Sequence, residues 1–227
     1  MAKINTNSNV YTIVYAAVLV IIVAFLLAFV SSALKSKQDQ NVELDTKKQI
    51  LYALNVRDIN DADAQYNQII KKDCVMTPAG DLQDYNGKFI TGFEKDAKHN
   101  GNFHVFVAEV NGQTKYVFPV YGAGLWGAIW GYVALNDDKD TVYGTYFSHA
   151  SETPGLGAEI ATEWFQNSFI NKKVLNAGKV ALSVVKNGNA KGNANLVDGV
   201  SGGTMTSNGV DAMLKDCLSN YEVFLNK

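Results

Sequence analysis

Asp198-Gly-Val-Ser-Gly-Gly-Thr-Met-Thr-Ser207 packs three glycines, four hydroxyls and one carboxylate into ten residues. Beyond it the apolar residues fall at Val210, Met213, Leu214, Cys217, Leu218, Tyr221 and Phe224. That three-four spacing lays them on one face of a helix. The glycine-rich approach therefore ends at a helix N-terminus. There the first backbone N–H groups lack partners and the dipole favours an anion. A phosphate near Thr204 would be stabilised by those donors. The plainer reading is a turn capped by Thr206 or Ser207, with no chemistry.

Working outward, the chain has 227 residues, room for one sizeable domain plus extras. Its net charge of −2 offers no electrostatic argument for nucleic acid. With two cysteines and three histidines, and no Cys-x-x-Cys, the chain alone has no cage for zinc or an iron–sulfur cluster. Cys217 lies on the apolar face of the last helix and reads as a small core residue. A disulfide to Cys74 stays open in an oxidising compartment.

Residues 1–9 form a short polar tail. From Val10 to Leu34 there is no charge. As a helix, at about 1.5 Å per residue, this run crosses a hydrocarbon core of roughly 30 Å. A signal peptide would have an apolar core of only about 7–15 residues and then a small-residue cleavage site. The run therefore reads as a retained single-pass anchor in the lipid bilayer. Lys3 lies on one side and Lys35 and Lys37 on the other, so a literal positive-charge count favours a cytoplasmic C-terminal domain.

Residues 35–73 read as a helical connector. A stripe begins at Gln49, Ile50, Leu51, Leu54 and Val56, and Ile69 and Ile70 close a second one after a polar break at 57–62. Lys47, Lys48, Lys71 and Lys72 read as a solvated face. From Cys74 the period turns towards strand. Phe103–Val110, Asn111-Gly112 and Lys115–Val120 read as a hairpin, with His104 structural. Strands are expected at Ile129–Leu135, Val142–Phe147 and Val180–Val185, with an exposed loop at Lys186–Asn195. Asp137, Asp138 and Asp140 lack the glycine and distal glutamate of a calcium loop.

Two further stretches stand out. Tyr121-Gly-Ala-Gly124-Leu125-Trp126-Gly127, continued by Gly131-Tyr-Val-Ala-Leu135, reads by itself as an aromatic-rich β turn in a core. His149-Ala-Ser-Glu152-Thr153-Pro-Gly155-Leu156-Gly157-Ala-Glu159 reads as a turn into a helix carrying Ile160, Trp164 and Phe165.

The three stretches together resemble a known family. Asp198-x-x-Ser201-Gly202-Gly203-Thr204 resembles the flavinylation signature of FMN-binding domains in sodium-pumping and other ion-translocating redox complexes. The family usually has Ala where this chain has Gly203. Glu152-Thr-Pro-Gly-Leu-Gly157 resembles its FMN-pocket loop. The Tyr121–Gly127 block with Gly131–Leu135 is similar to the C subunit of the sodium-translocating NADH:quinone reductases.

The resemblance implies FMN joined to Thr204 by a phosphoester, made by a separate flavin transferase, with Thr206 the alternative acceptor. Ser201, Gly202, Gly203 and Thr206 would surround the phosphate, with Asp198 completing the signature. Glu152, Thr153, Gly155, Leu156, Gly124, Leu125 and Trp126 would contact the ring or ribityl chain. It implies no catalytic acid–base residue and no metal. The chain would relay electrons beside other subunits of a membrane redox complex acting on NADH and quinone. Its flavin domain would lie on the periplasmic side of a bacterial inner membrane, the reverse of the charge count. Gly122-Ala-Gly124-Leu-Trp-Gly127 has the Gly-x-Gly-x-x-Gly spacing after a strand, but another strand and not a helix is expected beyond it, so an NADH site of its own is not expected.

The expected fold is α+β. A single N-terminal transmembrane helix precedes an FMN-binding domain at 74–227, a mixed or antiparallel sheet with packed helices. Rival readings are the flavin subunit of the related ferredoxin:NAD oxidoreductase complex and a cofactor-free anchored binding module. A hydrolase using Ser201 or Thr204 would need His149 as its base.

Overall fold

The computed structural model describes residues 6 and 8–227. Most of the expected tail at 1–9, and Lys3 of the charge count, lie outside those residues. The chain divides into two units, Met1–Glu43 and Leu44–Lys227. Helix α1 (Asn9–Ala53) runs through the division. In the first unit its apolar side chains are exposed along the uncharged run, with Tyr11 half-buried. Among the described residues it is the one helix long and apolar enough to cross a membrane.

In the second unit the end of α1 packs down on a sheet. Ile50, Leu51 and Leu54 are fully buried or nearly so. Asn55, at φ 59°, ends the helix in the left-handed region, and its Nδ2 donates to the Tyr143 carbonyl at 2.9 Å. The polar break follows. Asp61 then caps α2 (Ala62–Ile69) by accepting the N–H groups of Asp63 and Ala64 at 3.1 Å each. The helical expectation for this region ends early, because β1 (Ile70–Met76) already starts at Ile70.

Strands β1, β2 (Leu82–Asp84), β3 (Phe103–Val110), β4 (Gln113–Ala123), β5 (Ala128–Asn136) and β6 (Val142–His149) form one antiparallel sheet. Its order is β2-β1-β3-β4-β5-β6. The β3–β4 hairpin turns at Asn111 (φ 52°) and Gly112 (φ 73°), the two positive angles a type I′ turn needs. Between β2 and β3 lies α3 (Phe93–Asn100), which the sequence reading did not foresee.

Both faces of the sheet are covered, so its central strands are nearly continuous apolar runs. Phe106, Val117 and Ala134 point at α1, α2 and α3. Val105, Phe118 and Val133, one residue out of phase, point at the last long helix, α5 (Thr204–Ser219). Burying one such Phe or Leu contributes roughly 2 kcal/mol. The expected fold class therefore stands: an apolar helix, then an α+β domain built on an antiparallel sheet.

The rest of the chain packs on the α5 side. The expected helix around Ile160–Phe165 is a 3-10 turn (Gly157–Ala161) and a short α4 (Glu163–Asn167), broken at Thr162. The expected strand at Val180–Val185 is also split. β7 (Leu175–Asn176) and β8 (Lys179–Val180) make a small hairpin, and β9 (Ser183–Val185) pairs in parallel with β10 (Leu196–Asp198). A last turn, α6 (Glu222–Leu225), closes the core with Phe224 and Leu225. Cys74 and Cys217 are both free.

Candidate functional site

Parallel pairing of β10 with β9 delivers the chain to the start of α5. Asp198 Oδ1 accepts the N–H groups of Gly188 (2.8 Å) and Ala190 (3.0 Å), fixing the polar loop beside the turn. Gly202 then takes φ 79°, where an L side chain is strained. Thr204 opens the helix directly, and Gly203 at its N-cap makes no side-chain cap hydrogen bond. Thr206 and Ser207 are therefore not caps: they lie inside the first turn. Ser207 Oγ accepts the Val200 N–H at 2.9 Å, and Asp211 ties the next turn to β9 through Ser183 Oγ and the Val184 N–H. The helix start is thus held firmly while its leading end stays uncapped, an anion site by geometry.

The two threonines differ sharply. Thr204 is exposed, whereas Thr206 is 1% exposed. Thr206 Oγ1 donates to Glu152 Oε2 at 2.5 Å, and the Trp126 N–H donates to Glu152 Oε1 at 2.8 Å. Burial raises the pKa of this carboxyl. The Thr206 hydroxyl, the Trp126 N–H, nearby His149 and the Leu125 N–H outweigh burial and hold it below the usual carboxylate value. Glu152 is thus a buried anion satisfied by hydrogen bonds.

A cleft of about 350 Å³ opens above this arrangement. Leu125 and Trp126 form one wall; Glu152, Thr153, Leu156 and Gly157 form the second; Gly202 to Thr206 form the third. Its rim is apolar: Trp126 is 67% exposed, and Met205, Leu125 and Leu156 are also solvent-facing. That combination, an anion-favouring helix end beside exposed flat and aliphatic side chains, suits a planar ring that carries a phosphate.

Not every residue singled out in the sequence reaches the cleft. Ser201 lines an adjoining cleft with Lys186, Asn187 and Asn208, which shares Gly202 and Thr204 with the first. Asp198 holds the loop instead, and Gly155 (φ 75°) serves the turn geometry. Gly124 sits behind the wall, where an added Cβ would stand 2.5 Å from Glu152 Oε1. Gly157 and Met205 line the cleft without having been singled out. Gly157 carried a signal, as the last glycine of the Glu152 loop; Met205, between two threonines, carried none.

The side chains that the rival readings would use have other partners. His149 Nδ1 accepts the Glu152 N–H at 3.2 Å, so that nitrogen is not a base for Ser201 or Thr204. Asp138 is occupied as a turn acceptor for the N–H groups of Asp140 and Thr141, and pairs with Lys173. His104 is clasped between Asp73 and Asp96 on the far side of the domain's sheet.

Comparison with known proteins agrees with this geometry. The FMN-binding domain family matches residues 124–219, which hold all three walls. The C subunit of the Na(+)-translocating NADH-quinone reductase of Haemophilus ducreyi is 35% identical, over 95% of this chain and 91% of that protein. The same subunit of Vibrio vulnificus is 32% identical over 78% of each. The solved structure of the C subunit from Parabacteroides distasonis superposes with a TM-score of 0.79 at 43% identity, covering 86% of this chain and 98% of that one. Shewanella oneidensis NqrC shares the fold at a TM-score of 0.67 and 24% identity. The chain therefore belongs to the NqrC family, the C subunits of the Na(+)-translocating NADH-quinone reductases.

Proposed function

We propose that this chain carries FMN as a phosphoester on Thr204 and relays electrons within a sodium-pumping NADH:quinone reductase. One observation carries the choice of residue: both threonines at the start of α5 line the cleft, but Thr204 is exposed, whereas Thr206 is buried with its hydroxyl bonded to Glu152. The bound flavin would supply the redox chemistry. The chain's own residues attach, orient and shield it. The uncapped N–H groups of α5 favour the phosphate, and Leu125, Trp126, Leu156 and Met205 offer apolar surface to the ring. Glu152 locks the walls together. Electron transfer between cofactors needs distance and potential, so the site requires no nucleophile or general base.

The apolar run of α1 would anchor the chain in the inner membrane, with the domain at 44–227 on the periplasmic side. Other subunits of the complex would face the exposed flavin, and a flavin transferase would load it. Expressed with that transferase and denatured, the chain should remain fluorescent on a gel. Its mass should rise by FMN less water, on the peptide holding Thr204. Thr204→Val should give a dark band. A dark wild-type band would reduce the protein to an anchored module without the cofactor. A periplasmically activated reporter fused at Lys227 tests the orientation: an inactive reporter would reverse it.

A further inference from the structure

Two threonine hydroxyls lie two residues apart at the start of α5, and attachment has to choose between them. Thr206 is buried, and its hydroxyl is also bound. Its Oγ1–H is directed at Glu152 Oε2, while Oε1 of the same carboxylate takes the Trp126 N–H. One buried carboxylate thus joins the turn after β4, the loop after β6 and the first turn of α5. The glycines closing on it leave no slack. A Cβ on Gly157 would stand 2.4 Å from Glu152 Oε2 and 2.3 Å from Thr206 Oγ1.

We propose that Glu152 is the positioning residue that selects the acceptor: it sequesters the Thr206 hydroxyl and sets the first turn of α5 so that Thr204 alone takes the phosphoryl group. This rests on the attachment reading above. Joining FMN to a hydroxyl is a net loss of water, so the transferase needs an activated donor, a flavin dinucleotide with its pyrophosphate. The Thr204 oxygen forms the new P–O bond and gives up its proton. The pyrophosphate P–O bond breaks, and the nucleoside monophosphate leaves with that electron pair and, in the net reaction, the proton. Thr204 is exposed and opens the anion-favouring helix end. Thr206 Oγ1 is enclosed. A phosphoryl group placed there would also meet the Glu152 carboxylate, anion against anion.

The test uses the full chain expressed with the flavin transferase, digested and mapped by mass spectrometry. The wild type should carry the adduct on Thr204 only, and Thr204→Val should carry none. Adding Glu152→Gln to Thr204→Val removes the charge at constant shape and should bring a detectable adduct onto Thr206, where Thr204→Val alone has none. Adding Glu152→Ala should raise it further. In the single Glu152→Gln variant, with Thr204 present, the adduct should be shared between the two threonines. Near-UV circular dichroism matching the wild type certifies the fold of each variant. Folded double variants with Thr206 still unmodified would overturn the proposal. So would an adduct on Thr206 in Thr204→Val with Glu152 intact. A wild type with no adduct on either threonine would instead overturn the attachment reading beneath it.

Discussion

Replacing Gly209 by Ala inside α5 sets two effects against each other. By helix propensity the change should stabilise, since glycine in a helix interior costs about 1 kcal/mol relative to alanine. The packing predicts the opposite sign. A Cβ at Gly209 would stand 2.4 Å from the Ala123 carbonyl oxygen and 3.3 Å from Gly124 Cα. An ordinary C···O contact is about 3.3 Å, so α5 or the end of β4 must retreat by roughly 1 Å. Both partners are backbone, and neither has a rotamer with which to yield. Overpacking costs typically about 1–3 kcal/mol, and with backbone on both sides of the contact this case falls in the upper part of that range, about 2–3 kcal/mol. Set against the propensity gain, the net effect is a loss of about 1–2 kcal/mol. For a chain of this size that lowers Tm by roughly 2–8 °C. Thermal unfolding of the full chain in detergent, followed by near-UV circular dichroism, measures it. Exposed Asn208→Ala, one residue earlier in the same helix, should stay within about 0.5 kcal/mol of wild type. Gly209→Ala melting at or above the wild type would refute the close approach of α5 to β4. It would also undo the geometry that presents Thr204 beside Leu125 and Trp126.

Other expectations follow from the same packing. Burial lowers the His104 pKa, but the hydrogen bonds and charges of Asp73 and Asp96 outweigh it and leave it above the usual 6.5. Its stabilisation is then fully present below pH 6.5 and lost as pH rises through the folded value. Burial raises the Asp96 pKa, but hydrogen bonds from Asn100 and His104 hold it below the usual 3.8; its stabilisation is lost as pH falls through that lower value. This cluster should therefore contribute most between pH 3.8 and 6.5. His104→Ala, taking from two carboxylates the imidazole they share, should cost roughly 3 kcal/mol and flatten the alkaline decline in Tm; an unchanged slope would count against the clasp. Burial, reinforced for Cys74 by Asp84, pushes both thiols up to about 11. A thiol reagent at pH 8 should label neither promptly in the folded chain and both after denaturation, with or without reductant; fast native labelling would contradict their burial. Gly112→Ala meets nothing within 4 Å, so only its φ of 73° is strained. It should cost about 1 kcal/mol, and no loss of Tm would argue against the type I′ turn.

Much of the architecture was legible locally. The uncharged run from Val10 to Leu34 and the three-four stripe from Val210 to Phe224 each declare an element through side-chain periodicity. Asn111-Gly112 declares a hairpin, because two adjacent residues tolerant of positive φ are what its tight turn requires. The three motif stretches were also visible, which is why the resemblance led to the correct family. Less legible were the breaks at Thr162 and between Val180 and Ser183. There the composition continues, but packing against β6 and α5 divides the element.

The sequence by itself determined that an apolar helix precedes an α+β domain and that a glycine-rich turn feeds a helix start. Each of these is set by residues within a few positions of one another. Only the tertiary structure decided which threonine stays open, that Asp198 ties down a loop, and that Ser201 lines an adjoining cleft and not the first. Those outcomes depend on contacts such as Glu152 to Thr206, separated by 54 residues, and Trp126 to Glu152, separated by 26. No local spacing records such a meeting. It exists only once the sheet has brought the ends of β4 and β6 beneath the first turn of α5, where burial leaves one hydroxyl enclosed and the other free.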